Sequence, residues 1–314
     1  MKDRATRNFS LKVKTYSKAL SEAKDAIEEG ITGEQMGLLT RWDKINDRLL
    51  GGMRFGNVYL IAGASGHGKS FILNMILQDF IDPKINGNFK KPFKILHFTF
   101  EMSAVDEVLR TLSGKTSLAY GDLLSAHGPL SDFEFDRVKK EIDALINDTL
   151  YFVETTGNRY EIYETIRLFK QRYPDHELVI CLDHTLMVNE HDEKSEVGLM
   201  ASLGKMFIDI RKEFNTLNIL LCQLNDKIED PRRLSNPSMH YPTKTDIHGS
   251  KQLYHAADGV FVIHRPELLH LDFYGPKRHE VNGLIAFHIL KFRKGQPGMT
   301  RLREDLGNGA IHTW

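Results

Sequence analysis

Gly63-Ala64-Ser65-Gly66-His67-Gly68-Lys69-Ser70 follows the apolar run Val58 to Ala62 and precedes the apolar stretch Phe71 to Phe80. That order predicts a strand, a glycine-rich turn and a helix, the setting a phosphate-binding loop (P-loop) requires. Glycines let successive backbone N–H groups turn inward around a phosphate, above the positive N-terminus of the helix. Every residue from Gly63 to Ser70 is therefore a candidate nucleotide contact. Lys69 would reach the β- and γ-phosphates of ATP, and the Ser70 hydroxyl would hold the Mg2+ that bridges them.

Outward from this loop, strands and helices alternate. Lys94 to Phe100 reads as a strand ending at Glu101. Leu178 to Leu182 is continuously apolar, as befits a central parallel strand, and ends at Asp183. Asn218 to Cys222 is another such run and ends at Gln223. Helical patterns cover Ala104 to Ser113, Ser131 to Asn147, Tyr160 to Arg172 and Gly198 to Phe214, and Leu150 to Glu154 is a short strand. This is an α/β architecture, a twisted and mostly parallel sheet flanked by helices. Near the C-terminus, Leu284 to Phe292, the turn Gly295-Gln296-Pro297-Gly298 and Met299 to Arg303 form a β-hairpin.

In an open parallel sheet, ligands bind beyond the carboxyl ends of the strands. Glu101, Asp183 and Gln223 then share one edge with the P-loop. Asp183 is the expected second Mg2+ contact, through water; a turn or helix cap could use the same residue. Glu101 can orient and deprotonate the water that attacks the γ-phosphate, although a first helical turn also favours a carboxylate. Gln223 either senses the γ-phosphate or simply ends its strand. His184, next to Asp183, is read as structural. Lys291 and Arg293 stand two apart and share a strand face. They form either a solvated basic face or a pair of cations that stabilises charge on a neighbouring subunit's nucleotide.

The chain of 314 residues carries 42 Lys plus Arg against 42 Asp plus Glu, so any polyanion site must be local rather than a property of the whole surface. The segment Asn225 to Gly249 is long, polar and rich in proline. Its Arg232, Arg233 and Lys244 are the candidate DNA contacts, the alternative being a mobile surface insertion. Asn189 to Val197 is mostly acidic and a poorer candidate. Cys181 and Cys222 lie in apolar runs and behave as small hydrophobes, compatible with a reducing cytoplasm. No stretch approaches bilayer-spanning length, so no membrane is expected as a partner. Residues 1–16 read as a flexible arm. Ser17 to Glu29 reads as a helix with a narrow stripe of Leu20, Ala23 and Ile27, closed by Gly30. So small a stripe needs a partner surface, on its own domain or on another copy. A single larger domain, 37–314, follows.

Together these residues resemble the ATPase domain of DnaB-type replicative helicases, within the RecA-like P-loop NTPase class. The resemblance rests on Leu39-Thr40 through Gly51-Gly52 leading into the P-loop, Phe100-Glu101-Met102, Leu182-Asp183, Gln223-Leu224-Asn225, His255-Ala256-Ala257-Asp258 before the run Gly259 to His264, and Lys291-Phe292-Arg293-Lys294-Gly295. It implies a hexameric ring with ATP at each subunit interface and single-stranded DNA through the centre. It also implies that Glu101 is the catalytic carboxylate, that Gln223 senses the γ-phosphate and that Lys291 and Arg293 act on the neighbour's nucleotide. Residues 17–36 then resemble a linker helix that docks on the adjacent subunit. Residues 189 to 197 and 226 to 248 correspond to the central loops that grip DNA. A primase or loader is the further partner the resemblance brings, although the residues before 37 are too few for the helical domain that meets primase in the family. Asp226 stands where the family usually has a basic residue. The competing expectation is a RecA- or KaiC-like assembly ATPase that binds DNA without unwinding it.

Overall fold

The computed structural model describes residues 13–32, 34–188, 195–248, 251–305 and 309–314. Nine strands form one sheet: β1 (Val58–Gly63), β2 (Phe93–Thr99), β3 (Leu150–Val153), β4 (Glu177–Asp183), β5 (Leu217–Gln223), β6 (Gly259–His264), β7 (Leu284–Phe292), β8 (Gly298–Asp305) and β9 (Ala310–Thr313). Their order across the sheet is β3-β2-β4-β5-β1-β6-β7-β8-β9. The pairings from β3 to β6 are parallel, and those among β6, β7, β8 and β9 are antiparallel. The P-loop strand β1 is thus central, flanked by β5 and β6.

Alternation along the strands divides the core into two layers. Tyr59 and Ile61 of β1 face Ile72, Leu73, Ile76 and Phe80 of the helix Lys69–Ile81. Val58, Leu60 and Ala62 face the opposite layer, filled by Ile162 and Ile166 of the helix Arg159–Arg172 and by Leu203 and Phe207 of the helix Glu196–Phe214. Capping residues set the helix starts. Ser103 Oγ accepts the Asp106 N–H at 3.1 Å at the head of Ala104–Thr116, and Asn158 forms a capping box with Glu161. The helices predicted from periodicity are all present, and the helix Ala104–Thr116 runs three residues beyond its expected end at Ser113.

Two differences from the sequence expectation matter. The segment 226–248 is no open loop but a run of short helical turns, Asp226–Glu229, Pro231–Leu234, Pro237–Met239 and Lys244–Asp246. The hairpin is also followed by β9, whose Ile311 carbonyl accepts the indole N–H of the fully buried Trp42 at 3.1 Å. This ties the end of the sheet to the entrance of the domain. The N-terminal helix spans Tyr16–Ile31, and its stripe faces solvent, with Leu20 51% and Ile27 63% exposed. Of the expected arm, residues 1–12 lie outside the described residues, as do 189–194 of the acidic loop. No helix among the described residues is long and apolar enough to cross a membrane.

Candidate functional site

The P-loop turns sharply because Gly66 and Gly68 adopt φ of +74° and +86°, a region that side chains disfavour. Gly63 is needed for a different reason: a Cβ there would lie 2.9 Å from the Ile263 carbonyl and 2.9 Å from Lys69 Cγ. Its absence opens the channel through which Lys69 passes. Lys69 Nζ donates to Ala64 O at 3.0 Å, so the ammonium rests on the loop itself. Burial lowers the Lys69 pKa, against the pull of Asp183 and Glu101.

Above the loop is a cavity of about 320 Å³ lined by Ser65, Gly66, Gly68, Lys69, Ser70, Glu101, Arg110, His184 and Gln223, among others. The parallel register explains this convergence. Gly63 pairs with Gln223, and Phe100 N donates to Asp183 O at 2.7 Å, which sets Glu101 beside the end of β4. Asp183 is 1% exposed, and neither carboxylate oxygen makes a well-formed hydrogen bond among the described residues. Burial raises its pKa to about 6, with Ser70 pulling the other way and Glu101 adding to the rise. Keeping it ionised at neutral pH costs about 3 kcal/mol, which a bound cation would offset. A buried, orphaned carboxylate next to a hydroxyl fits a divalent cation bridged to phosphate. The turned backbone and Lys69 fit the phosphates themselves.

The remaining P-loop residues play different parts. Gly63 and Ala64 are not among the residues that line the cavity. His67 is buried at 2% exposure with its ring turned away, Nδ1 accepting the Arg265 N–H at 3.1 Å. His184, which also lines the cavity, accepts the Leu186 N–H on Nδ1 at 3.2 Å. Arg110 was not singled out in the sequence. It lies nine positions after Glu101, one turn beyond Glu107 on the helix Ala104–Thr116, with Nη1 3.6 Å from Glu107 Oε1. A cation on a helix that directly follows a strand-end carboxylate beside the P-loop is the signal that could have found it.

Lys291 and Arg293 are brought together with each other but not with this cavity. Lys291 Nζ donates to Tyr254 O at 2.8 Å and Arg293 Nη2 to His255 O at 2.9 Å. Arg293 Nε also lies 3.2 Å from Asp258 Oδ1. In the antiparallel register Phe292 pairs with Gly259, the first residue of β6, whereas the P-loop end of β1 pairs with Ile263. The two cations are therefore at the opposite end of the sheet from their own P-loop, roughly 15 Å along the strands. Burial first, then Arg293, lowers the Lys291 pKa to about 8.

Of the three candidate DNA contacts, Arg232 and Lys244 are exposed. Arg233 is corrected: its guanidinium forks onto Asp246 at 2.7 and 2.8 Å and donates to Met239 O and Tyr241 O, so it is a buried brace of the 226–248 segment and not a surface cation.

The same architecture is found in solved structures. One of them, an ATPase domain, superposes with a TM-score of 0.81 at 18% identity, covering 96% of this chain and 99% of that one. A DnaB-like replicative helicase, solved in a study of its interactions with primase, gives 0.77 at 17% identity, covering 96% of this chain and 67% of that one. In sequence, the replicative DNA helicase DnaB of Helicobacter pylori is 27% identical over 221 residues, covering 70% of this chain and 42% of the relative. A probable replicative DNA helicase of Guillardia theta is 23% identical over 226 residues, covering 71% of this chain and 36% of the relative. The chain thus spans less than half the length of these relatives. Residues 37–305 match the DnaB-like helicase C terminal domain, and the chain belongs to that family.

Proposed function

We propose that this chain is the motor of a ring-shaped, ATP-dependent replicative DNA helicase that moves along single-stranded DNA by hydrolysing ATP between subunits. The observation that carries this reading is the separation of the site into two halves. The P-loop, Asp183 and Glu101 lie at one end of the sheet, and Lys291 and Arg293 lie at the other, out of reach of this chain's own P-loop.

In this reading Ser65 to Ser70 cradle the triphosphate, and Lys69 leaves Ala64 O to meet its β- and γ-oxygens. Ser70 and Asp183 would hold Mg2+, which would neutralise phosphate charge. Glu101 aligns the attacking water and takes its proton, and Arg110 offsets negative charge across the cavity. Gln223 contacts the γ-phosphate, and its carbonyl accepts the His248 N–H at 2.8 Å, so loss of that phosphate is felt by the 226–248 segment. Arg232 and Lys244 on that segment meet the DNA backbone. The neighbouring subunit's Arg293 and Lys291 complete each site, and the uncovered helix Tyr16–Ile31 packs on an adjacent copy. The acidic loop and any primase or loader belong to this reading as further contacts of the ring.

The test is a forked duplex with a single-stranded tail, given to a sample whose native mass has been measured with ATP and an oligonucleotide. Ring formation and tail-dependent, ATP-dependent strand separation are expected. DNA-stimulated hydrolysis without separation would instead place the chain among assembly ATPases.

A further inference from the structure

Beyond the motif residues, a line of buried rings joins the P-loop to the 226–248 segment. His67, between Gly66 and Gly68, stacks on His264 with ring centroids 5.5 Å apart. The next residue, Arg265, gives its N–H to His67 Nδ1 and its guanidinium to Gly66 O at 3.4 Å, so the end of β6 clasps the apex of the loop. His264 Nδ1 lies 2.7 Å from the Tyr274 hydroxyl, and the same hydroxyl lies 2.8 Å from His288 Nε2 and 3.4 Å from the His240 carbonyl. His240 in turn accepts the Gly275 N–H on Nδ1 at 3.1 Å, and its Nε2 is 2.8 Å from Leu234 O. Tyr274 has no exposed surface.

The chemistry of this line makes it act as a unit. Burial keeps His67 and His288 neutral, with pKa values of about 4 and about 3, and lowers His264 as well. A phenol has one hydrogen to donate. With two imidazole nitrogens and the His240 carbonyl around it, the Tyr274 hydroxyl gives its hydrogen to one of the three and accepts from an imidazole N–H that faces it. His264, His288 and the 226–248 segment therefore share one hydroxyl. Reorienting one ring in so tightly packed a polar line leaves a buried donor or acceptor unpaired elsewhere. His264 Nε2 already has no partner among the described residues, so the line has no slack to absorb a second loss.

We propose that Tyr274 is a positioning residue for nucleotide turnover. It holds His264 against the P-loop residue His67 and holds His240 of the 226–248 segment, so that loop closure on a triphosphate and the setting of that segment change together. This rests on the reading above, in which the segment grips single-stranded DNA. It is a second route beside the one through Gln223: that one follows the γ-phosphate, and this one follows the backbone of the loop.

The full chain with Tyr274→Phe keeps the ring and loses the hydroxyl. Hydrolysis is measured with and without oligo-dT, and oligo-dT affinity with a non-hydrolysable ATP analogue and with ADP. The expected result is a fall of about fivefold or more in DNA stimulation, with the two DNA affinities converging, while KM for ATP stays within about twofold. Two further variants separate linkage from folding. His288→Gln, whose amide can present either its nitrogen or its oxygen to the Tyr274 hydroxyl, should keep the stimulation, and His288→Leu should lose it. Wild-type stimulation in Tyr274→Phe, or identical behaviour of the two His288 variants, overturns the proposal. If the unaltered chain shows no DNA stimulation, the DNA-motor reading has failed, and hydrogen exchange decides the relay. Amides of 231–248 that slow on binding the analogue in the wild type should not slow in Tyr274→Phe; equal slowing would overturn the proposal.

Discussion

At the scale of single residues, charge matters less than what surrounds it. Arg232 and Arg233 are adjacent and indistinguishable in sequence, yet one is exposed and the other is committed to Asp246 thirteen positions later. Burial works against ionised Asp246, and the Arg233 fork and the Thr243 N–H more than reverse that, holding its pKa below the usual value. Arg233→Ala should therefore destabilise the domain by about 3 to 5 kcal/mol, because it strands a buried carboxylate; chemical denaturation measures this. Replacing Arg232 and Lys244 together should leave stability unchanged. It should weaken DNA binding and reduce the slope of log affinity against log salt by about two. A normal salt slope in that double variant would remove these residues from the DNA interface. Arg110 illustrates the same limit on reading a sequence. Leu109-Arg110-Thr111 is no motif in itself; the clue is its place on the helix after Glu101, and the packing of that helix turns the side chain into the cavity.

At the scale of elements, the most legible feature was the strand, loop and helix around Lys69. A phosphate cradle imposes glycine, lysine and hydroxyl requirements at fixed spacing, so its chemistry is written locally. The carboxylates and the glutamine at strand ends were legible for a related reason, since a parallel sheet gathers such ends on one edge. Other features depended on partners distant in sequence. The four-residue β9 is placed by pairing with β8 and by Trp42, far earlier in the chain. The pairing of Lys291 with Arg293 was visible in their spacing, but which end of the sheet they occupy follows only from the register of β7 against β6. The helix Tyr16–Ile31 makes a prediction of its own. Leu20→Asp with Ile27→Asp changes only exposed positions, so the melting temperature of the isolated subunit should hold. Assembly should fail, as seen by native mass or sedimentation. A ring of unchanged mass would exclude the helix from the interface.

At the scale of the whole molecule, the sheet is a frame with different chemistry at its two ends and a core that carries several neutral histidines. His67, His97 and His288 are held at about 4, 4 and 3, with burial the leading cause in each. Above their ordinary value near 6.5 they are neutral whether or not the chain is folded. Below it the unfolded chain takes up protons that the folded chain does not, so stability falls as pH drops from 6.5 toward 4. By pH 5 the loss is about 2 kcal/mol for each such histidine. His97→Leu should remove one share of that acid dependence, measured as the pH dependence of thermal unfolding. The frame also bears on the proposed engine: the P-loop and the Lys291–Arg293 pair lie at opposite ends of the sheet, so a reaction that uses both requires a second copy. The most direct measurement of that claim mixes two inactive variants, Lys69→Ala and Arg293→Ala, and follows ATP hydrolysis. Each alone should be inactive, and the mixture should recover hydrolysis, because interfaces form that join an intact Lys69 from one copy to an intact Arg293 from the other. Normal hydrolysis by Arg293→Ala alone, or a mixture no more active than its components, would contradict the account.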